Sequence, residues 1–337
     1  MRGAEVPFAG LHQDFTMKIL FVWTGVTSYM ADCWRELASR PDVELEIVVE
    51  RHDNGREFDA GRVLRDLDCT LVSGVDEARG LDLSKPDMMF AVGWHSRTVR
   101  YFVERPDWRD VPKICCSDMP WRWKLRCIAA RFVLWRYLRR FKGMLVPGRI
   151  AARYARWLGF APDEIHAGMY ATDVRRFSAG PEDAPRTGFM YIGRHVPEKR
   201  LDLLEKAYGR YREMGGTWTL DVYGGDNFVQ PDEVPGLYAA HAALVLASDF
   251  EPWGVVVLEA AAAGLALVCT DTCGACHELV KGNGIVVPHG DAEAFARAML
   301  RMEREYASFD RSQGLDLASA YGCERWADRI LEISGVW

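Results

Sequence analysis

Two carboxylates eight positions apart, Glu251 and Glu259, flank a loop-to-helix junction in Asp249-Phe250-Glu251-Pro252-Trp253-Gly254-Val255-Val256-Val257-Leu258-Glu259-Ala260-Ala261-Ala262-Ala263-Gly264. The neighbours of Glu259 at three and four positions are Val255, Val256, Ala262 and Ala263, so no polar helix face keeps its charge in water. A charge on so apolar a helix needs a partner. Upstream, Leu244-Val245-Leu246-Ala247 has the length and apolar character of a buried strand, and Pro252 with Gly254 interrupts the chain before the helix opens near Val255. Strand, loop and helix N-terminus in that order receive phosphates in doubly wound folds: the free N–H groups of Gly254 to Val256 and the positive end of the helix dipole would face an anion. The structural alternative is that Glu251 caps the helix and Glu259 pairs with an Arg.

A second group of charges lies about fifty residues upstream. Thr187-Gly188-Phe189-Met190-Tyr191-Ile192-Gly193 reads as a strand ending in glycine, followed by Arg194-His195-Val196-Pro197-Glu198-Lys199-Arg200 and a helix-period run, Leu201, Leu203, Leu204, Ala207 and Tyr208. Arg194 and Lys199 thus share one strand-to-helix loop. Two cations there, opposite a helix N-terminus, suit a diphosphate, the guanidinium as a planar fork and the ammonium as a point charge.

Ile192-Gly193-Arg194-His195-Val196-Pro197-Glu198-Lys199 and Glu251-Pro252-Trp253-Gly254-Val255-Val256-Val257-Leu258-Glu259 resemble the two donor-site motifs of the retaining glycosyltransferases of family 4, the second being that family's E-x7-E signature. Gly264-Leu265-Ala266-Leu267-Val268, Gly274 to Val280 and Asn283 to Pro288 are similar too, and the resemblance is close from about residue 143 onward. It implies an α/β protein of the GT-B fold, two Rossmann-like doubly wound domains facing a cleft. It also implies that Arg194 and Lys199 bind the nucleotide diphosphate, that Glu251 contacts donor-sugar hydroxyls, and that the backbone at Trp253, Gly254 and Val255 approaches sugar and phosphate. Glu259 would hold the ribose hydroxyls. No metal and no separate cofactor is implied, because basic side chains and a helix dipole would stabilise the departing diphosphate.

At 337 residues, 49% of them hydrophobic, the chain is long enough for about two globular domains, and no apolar run approaches eighteen residues. Residues 1–16 lack the basic-then-apolar pattern of a signal peptide and read as an N-terminal extension before a first strand at Met17 to Trp23. An N-terminal Rossmann-like, acceptor-side domain is expected over 17–180, a nucleotide-sugar-binding domain over 181–315, and a C-terminal helix crossing back to the first domain over 316–337. The polar stretch Ser178 to Pro185 would be the hinge. Nine scattered cysteines point to a reducing, cytoplasmic placement. Cys273-Gly274-Ala275-Cys276-His277 matches the c-type haem attachment pattern and half of a zinc site, but no second ligand pair accompanies it and the segment lies in a loop of the donor domain.

In the first half, Val43 to Val49, Met88 to Gly93 and Lys113 to Ser117 read as strands alternating with helices such as Met30 to Ser39 and Thr98 to Glu104, the order of a parallel sheet. His95 follows the Met88 strand at the edge facing the cleft and is the candidate for an amino-domain catalytic contact; the alternative is an ordinary loop histidine. Residues 1–180 hold 28 Lys and Arg against 24 Asp and Glu, whereas 181–337 hold 14 against 24. The first lobe is therefore the basic one. Within it, Trp121 to Lys142 carries eight basic residues, no acid and six aromatics, expected as a helix with one core face and a basic aromatic rim toward an anionic lipid leaflet or an anionic acceptor. Nucleic acid is disfavoured as a partner by the net charge of −6 and the acidic second lobe. The resemblance implies a metal-independent, retaining hexosyltransferase. It would move a hexose from a nucleotide diphosphate sugar, UDP favoured, to a glycan or lipid-linked hydroxyl in cell-surface polysaccharide or glycolipid synthesis, in the cytoplasm or peripherally at the inner face of the membrane. The competing readings are an epimerase or hydrolase of nucleotide sugars on the same fold, and a non-catalytic binding relative.

Overall fold

The computed structural model describes residues 16–51, 59–178 and 186–335. The expected N-terminal extension, save its last residue, and the hinge from 179 to 185 lie outside the described residues.

Twelve strands among the described residues form two sheets. The first sheet contains β1 (Met17–Thr24), β2 (Val43–Glu50), β3 (Cys69–Val72), β4 (Met88–Val92), β5 (Lys113–Cys116), β6 (Gly143–Val146) and β7 (Ile165–Ala167), in the spatial order β3-β2-β1-β4-β5-β6-β7. The second contains β8 (Phe189–Ile192), β9 (Leu220–Tyr223), β10 (Ala243–Leu246), β11 (Ala266–Thr270) and β12 (Gly284–Val287), in the order β12-β11-β10-β8-β9. Every pairing within both sheets is parallel. Helices cover both faces, so central strands such as β4 and β10 are apolar throughout rather than alternating. The strand order reverses at β1/β4 in one sheet and β8/β10 in the other, which places a crevice at the carboxyl ends of each lobe.

The last helix, Cys323–Gly335, returns to the first lobe. Trp326, Ala327, Ile330 and Ile333 join the core that also holds Phe21, Met30, Trp34 and Leu37. The preceding helix, Arg311–Ser319, packs instead on Val255–Ala262 of the second lobe. So does Val174–Ser178, whose Phe177 enters the second core.

The segment Trp121 to Lys142 differs from the single helix expected of it. It forms an irregular lead-in and two short helices, Leu125–Val133 and Trp135–Leu138. Leu134 breaks between them, and the turn lets Leu134, Tyr137, Leu138 and Phe141 reach the core while Cys127 is the one buried residue of the first helix. Without an apolar stripe at helical spacing, no continuous helix here could bury one face.

Candidate functional site

The two charged loops leave adjacent strands at the same sheet edge, since β8 pairs with β10. They are bound to each other. The Lys199 ammonium forms an ion pair and hydrogen bond with Glu251, with side chains 15% and 11% exposed respectively. Arg200, the one non-glycine residue with positive φ among those described (51°), donates to Asp249 at 2.7 Å, and the Asp249 amide donates to the Glu198 carbonyl at 2.9 Å. Lys199 therefore neutralises the half-buried Glu251, and an anion arriving here meets an ammonium already desolvated. Arg194 lies at the outer lip, exposed, its side chain making no hydrogen bond or ion pair among the described residues. It remains available to a ligand.

Gly254 precedes the Val255–Ala262 helix with φ 93°, so no side chain caps the helix start. A Cβ at Gly254 would lie 2.9 Å from Cys273 Sγ and 3.0 Å from Glu251 Cγ, which is why the turn accepts glycine alone. The capping role open to Glu251 is thus not taken up. The Trp253 ring is buried at the junction of the lobes, against Tyr321 with centroids 5.4 Å apart and close to Gly148. What Trp253, Gly254 and Val255 offer a ligand is backbone.

Glu259 is half-buried and lines a cavity of about 180 Å³ between the lobes, shared with Tyr29, Asp32, Arg176, Phe177 and Phe228. Tyr238 donates its hydroxyl to Glu259 Oε2 at 3.0 Å, and Arg176 pairs with Asp32 at 3.4 Å and with the Pro231 carbonyl rather than with Glu259. Burial raises the Glu259 carboxyl to about 7, against the opposing pull of Tyr238 and Arg176 and with a further push from Asp32. The Arg partner of the structural alternative is absent. The carboxylate faces space instead.

Two residues of the first lobe join the site unannounced. Asp118, just past β5, accepts a hydrogen bond from Tyr170 at 3.0 Å, and burial followed by the nearby charge of Glu251 raises its carboxyl. Tyr170 in turn packs edge-on against Tyr29, centroids 5.4 Å apart. The available signal was position: Ser117-Asp118 ends a buried strand, as Trp94-His95 does. His95 itself is exposed, its ring 5.6 Å from that of Trp94, and no hydrogen bond or ion pair among the described residues joins it to Glu251 or Lys199. Cys273 and Cys276 are buried, Cys273 donating to the Trp253 carbonyl at 3.1 Å, and no cluster of three or more His, Cys, Asp or Glu side chains suited to a metal occurs among the described residues.

Residues 226–305, the segment holding Glu251 and Glu259, match the family model described as glycosyl transferases group 1. No curated protein matches the chain in sequence. Among solved structures, Anabaena HepE in complex with UDP and glucose superposes with a TM-score of 0.69 at 14% identity, covering 95% of this chain and 100% of that one. The lipopolysaccharide outer core galactosyltransferase WaaB gives 0.66 at 14%, over 94% and 98% of the two chains. The fold is GT-B. The N-terminal domain of Candida albicans trehalose-6-phosphate phosphatase shares it, with a TM-score of 0.72 at 10% identity over 95% and 97% of the chains, so chemistry must be argued from side chains rather than from superposition.

Proposed function

We propose that the protein is a retaining glycosyltransferase that moves a hexose from a nucleotide diphosphate sugar, UDP favoured, to a hydroxyl of a glycan or lipid-linked acceptor, without a metal, in cell-surface polysaccharide or glycolipid synthesis. The observation that carries this is the Lys199–Glu251 pair beside an uncapped helix N-terminus, with Glu259 facing a cavity on the same helix. Cations and N–H groups lie where phosphate oxygens need donors, and carboxylates where hydroxyls need acceptors. The group 1 glycosyltransferase match over 226–305 and the UDP carried by HepE support the same assignment.

In this reading Arg194, Lys199 and the N–H groups of Val255 and Val256 hold the diphosphate and gain strength as its charge rises on bond cleavage. Glu251 accepts from hydroxyls of the donor sugar, and Glu259 from the ribose. The leaving phosphate takes the acceptor proton, so the acceptor oxygen attacks from the face being vacated and configuration is kept.

Loss of Arg194 or Lys199 should cost on the order of 2 to 4 kcal/mol of transition-state stabilisation. Lys199→Ala should also lower the melting temperature, because it strands the half-buried Glu251. Arg194→Ala, at an exposed lip, should leave stability unchanged. The test is transfer by the parent and both variants from UDP-, GDP- and ADP-hexoses, with the anomeric configuration of the product read by NMR. Activity of both variants within threefold of the parent would defeat the diphosphate assignment, and donor hydrolysis or epimerisation independent of any acceptor would favour the competing chemistry.

A further inference from the structure

We propose that the face formed by residues 122–139 docks on an anionic lipid bilayer, its apolar side chains entering the headgroup zone. Trp123 and Leu125 are each 86% exposed, Val133 76% and Phe132 66%. They are the most exposed large apolar side chains among those described, and they fall within eleven residues of one another. Around them stand Lys124, Arg126, Arg131, Arg136 and Arg139, all exposed, and the segment 121–142 contains no acid. Apolar protrusions ringed by cations pair hydrocarbon with the acyl boundary and guanidinium with phosphate. Trp135, half exposed, lies under Arg136 and Arg139 at 5.9 and 5.6 Å, an amphipathic grouping suited to the headgroup level.

The form of the patch selects the bilayer over a protein. Four side chains standing about two-thirds or more out of contact would need matching sockets on a folded partner, whereas a bilayer parts around them. Behind them, a depression of about 690 Å³ lined by Arg131, Phe132, Trp135, Arg139, Leu158 and Glu164 gives space for a lipid headgroup. No helix among the described residues is long and apolar enough to cross a membrane, so the contact is one of surface docking.

The patch also adjoins the cleft. Four residues separate Asp118, beside Glu251, from Trp123, and the Arg122 guanidinium lies 4.2 Å from the centroid of the Phe250 ring, next to Glu251 in sequence. Docking would therefore bring the cleft mouth to the level of the headgroups, where a lipid-borne acceptor would present its hydroxyl. The docking itself stands without the transferase reading, since it rests on exposure and charge alone.

Flotation of the full chain with liposomes decides it. Vesicles of phosphatidylcholine with 30% phosphatidylglycerol should bind the parent, pure phosphatidylcholine should not, and raising salt should weaken binding. Changing Arg126, Arg136 and Arg139 together to Ser should lower partitioning on the order of a hundredfold. Changing Trp123, Leu125 and Phe132 together to Ser should lower it at least about tenfold while leaving the far-ultraviolet circular dichroism of the folded chain in place, as none of these exposed side chains is a core residue. Equal recovery with anionic and neutral vesicles overturns the docking. Unchanged binding of the apolar triple variant overturns insertion, and a dimer that the same variant abolishes, without vesicle binding, assigns the patch to a second copy of the chain.

Discussion

Glu259 shares its helix with buried Val257, Leu258 and Ala260 to Ala262, and its carboxylate has the Tyr238 hydroxyl, the charge of Arg176 across the cavity and whatever enters that cavity to stabilise it. A carboxyl raised on folding from 4.5 to about 7 binds its proton more tightly in the folded state. Stability is therefore greatest below the unfolded value and falls as pH rises from about 4.5 through about 7, by up to about 3 kcal/mol from this group. Glu259→Gln removes the titration. Its melting temperature should lie close to the parent's at pH 5 and clearly above it at pH 8, in the absence of ligand. If the gap between parent and variant is the same at both values, the carboxylate is stabilised by contacts other than those described. The sequence made the need for a partner visible, because the helix offers no polar face; it could not name Tyr238, which stands twenty-one positions away.

At the scale of elements, the β10-to-helix loop depends on Gly254. With φ at 93° and Cys273 Sγ 2.9 Å from where a Cβ would stand, Gly254→Ala is strained in backbone and crowded in space. It should cost roughly 1 to 3 kcal/mol of stability and displace Glu251, whose Cγ is the next nearest atom. A denaturant titration reads the first effect and turnover the second; a variant with parental stability would show that the loop relaxes freely. The strands that carry this loop were legible because a strand buried on both faces is a continuous apolar run, as in β4, β10 and β11. The loop pairings were not, since Lys199 meets Glu251 only because β8 and β10 are neighbours, and strand order has no local signature. Asp118 went unseen for the same reason: nothing in Ser117-Asp118-Met119 tells which cleft residue it will face. The break at Leu134 was hidden because the surrounding aromatics are divided between core and surface without a period.

At the scale of the whole molecule, the chain crosses between lobes more than once, and the final crossing is a strap. Arg311–Ser319 lies on the second lobe, Tyr321 packs on Trp253 at the junction, and Trp326 is buried in the first lobe, 5.7 Å from Phe21, with its indole N–H donating to the Met169 carbonyl at 3.0 Å. The indole anchors this crossing in the first lobe, and the lobes also meet at the cleft through the Arg62–Asp232 pair and through Arg149 donating to the His277 carbonyl at 2.9 Å. Exposed pairs of this kind contribute about 0 to 1 kcal/mol, whereas emptying a buried Trp site costs roughly 3 to 5 kcal/mol. The strap should therefore dominate the coupling. Trp326→Ala is expected to lower the melting of the first lobe and to divide unfolding into two calorimetric transitions, of which a nucleoside diphosphate should raise only the upper, since its proposed ligands Arg194, Lys199 and Glu259 belong to the second lobe. A single transition that moves down intact and rises as a whole with nucleotide would place the coupling in the cleft contacts instead of the strap.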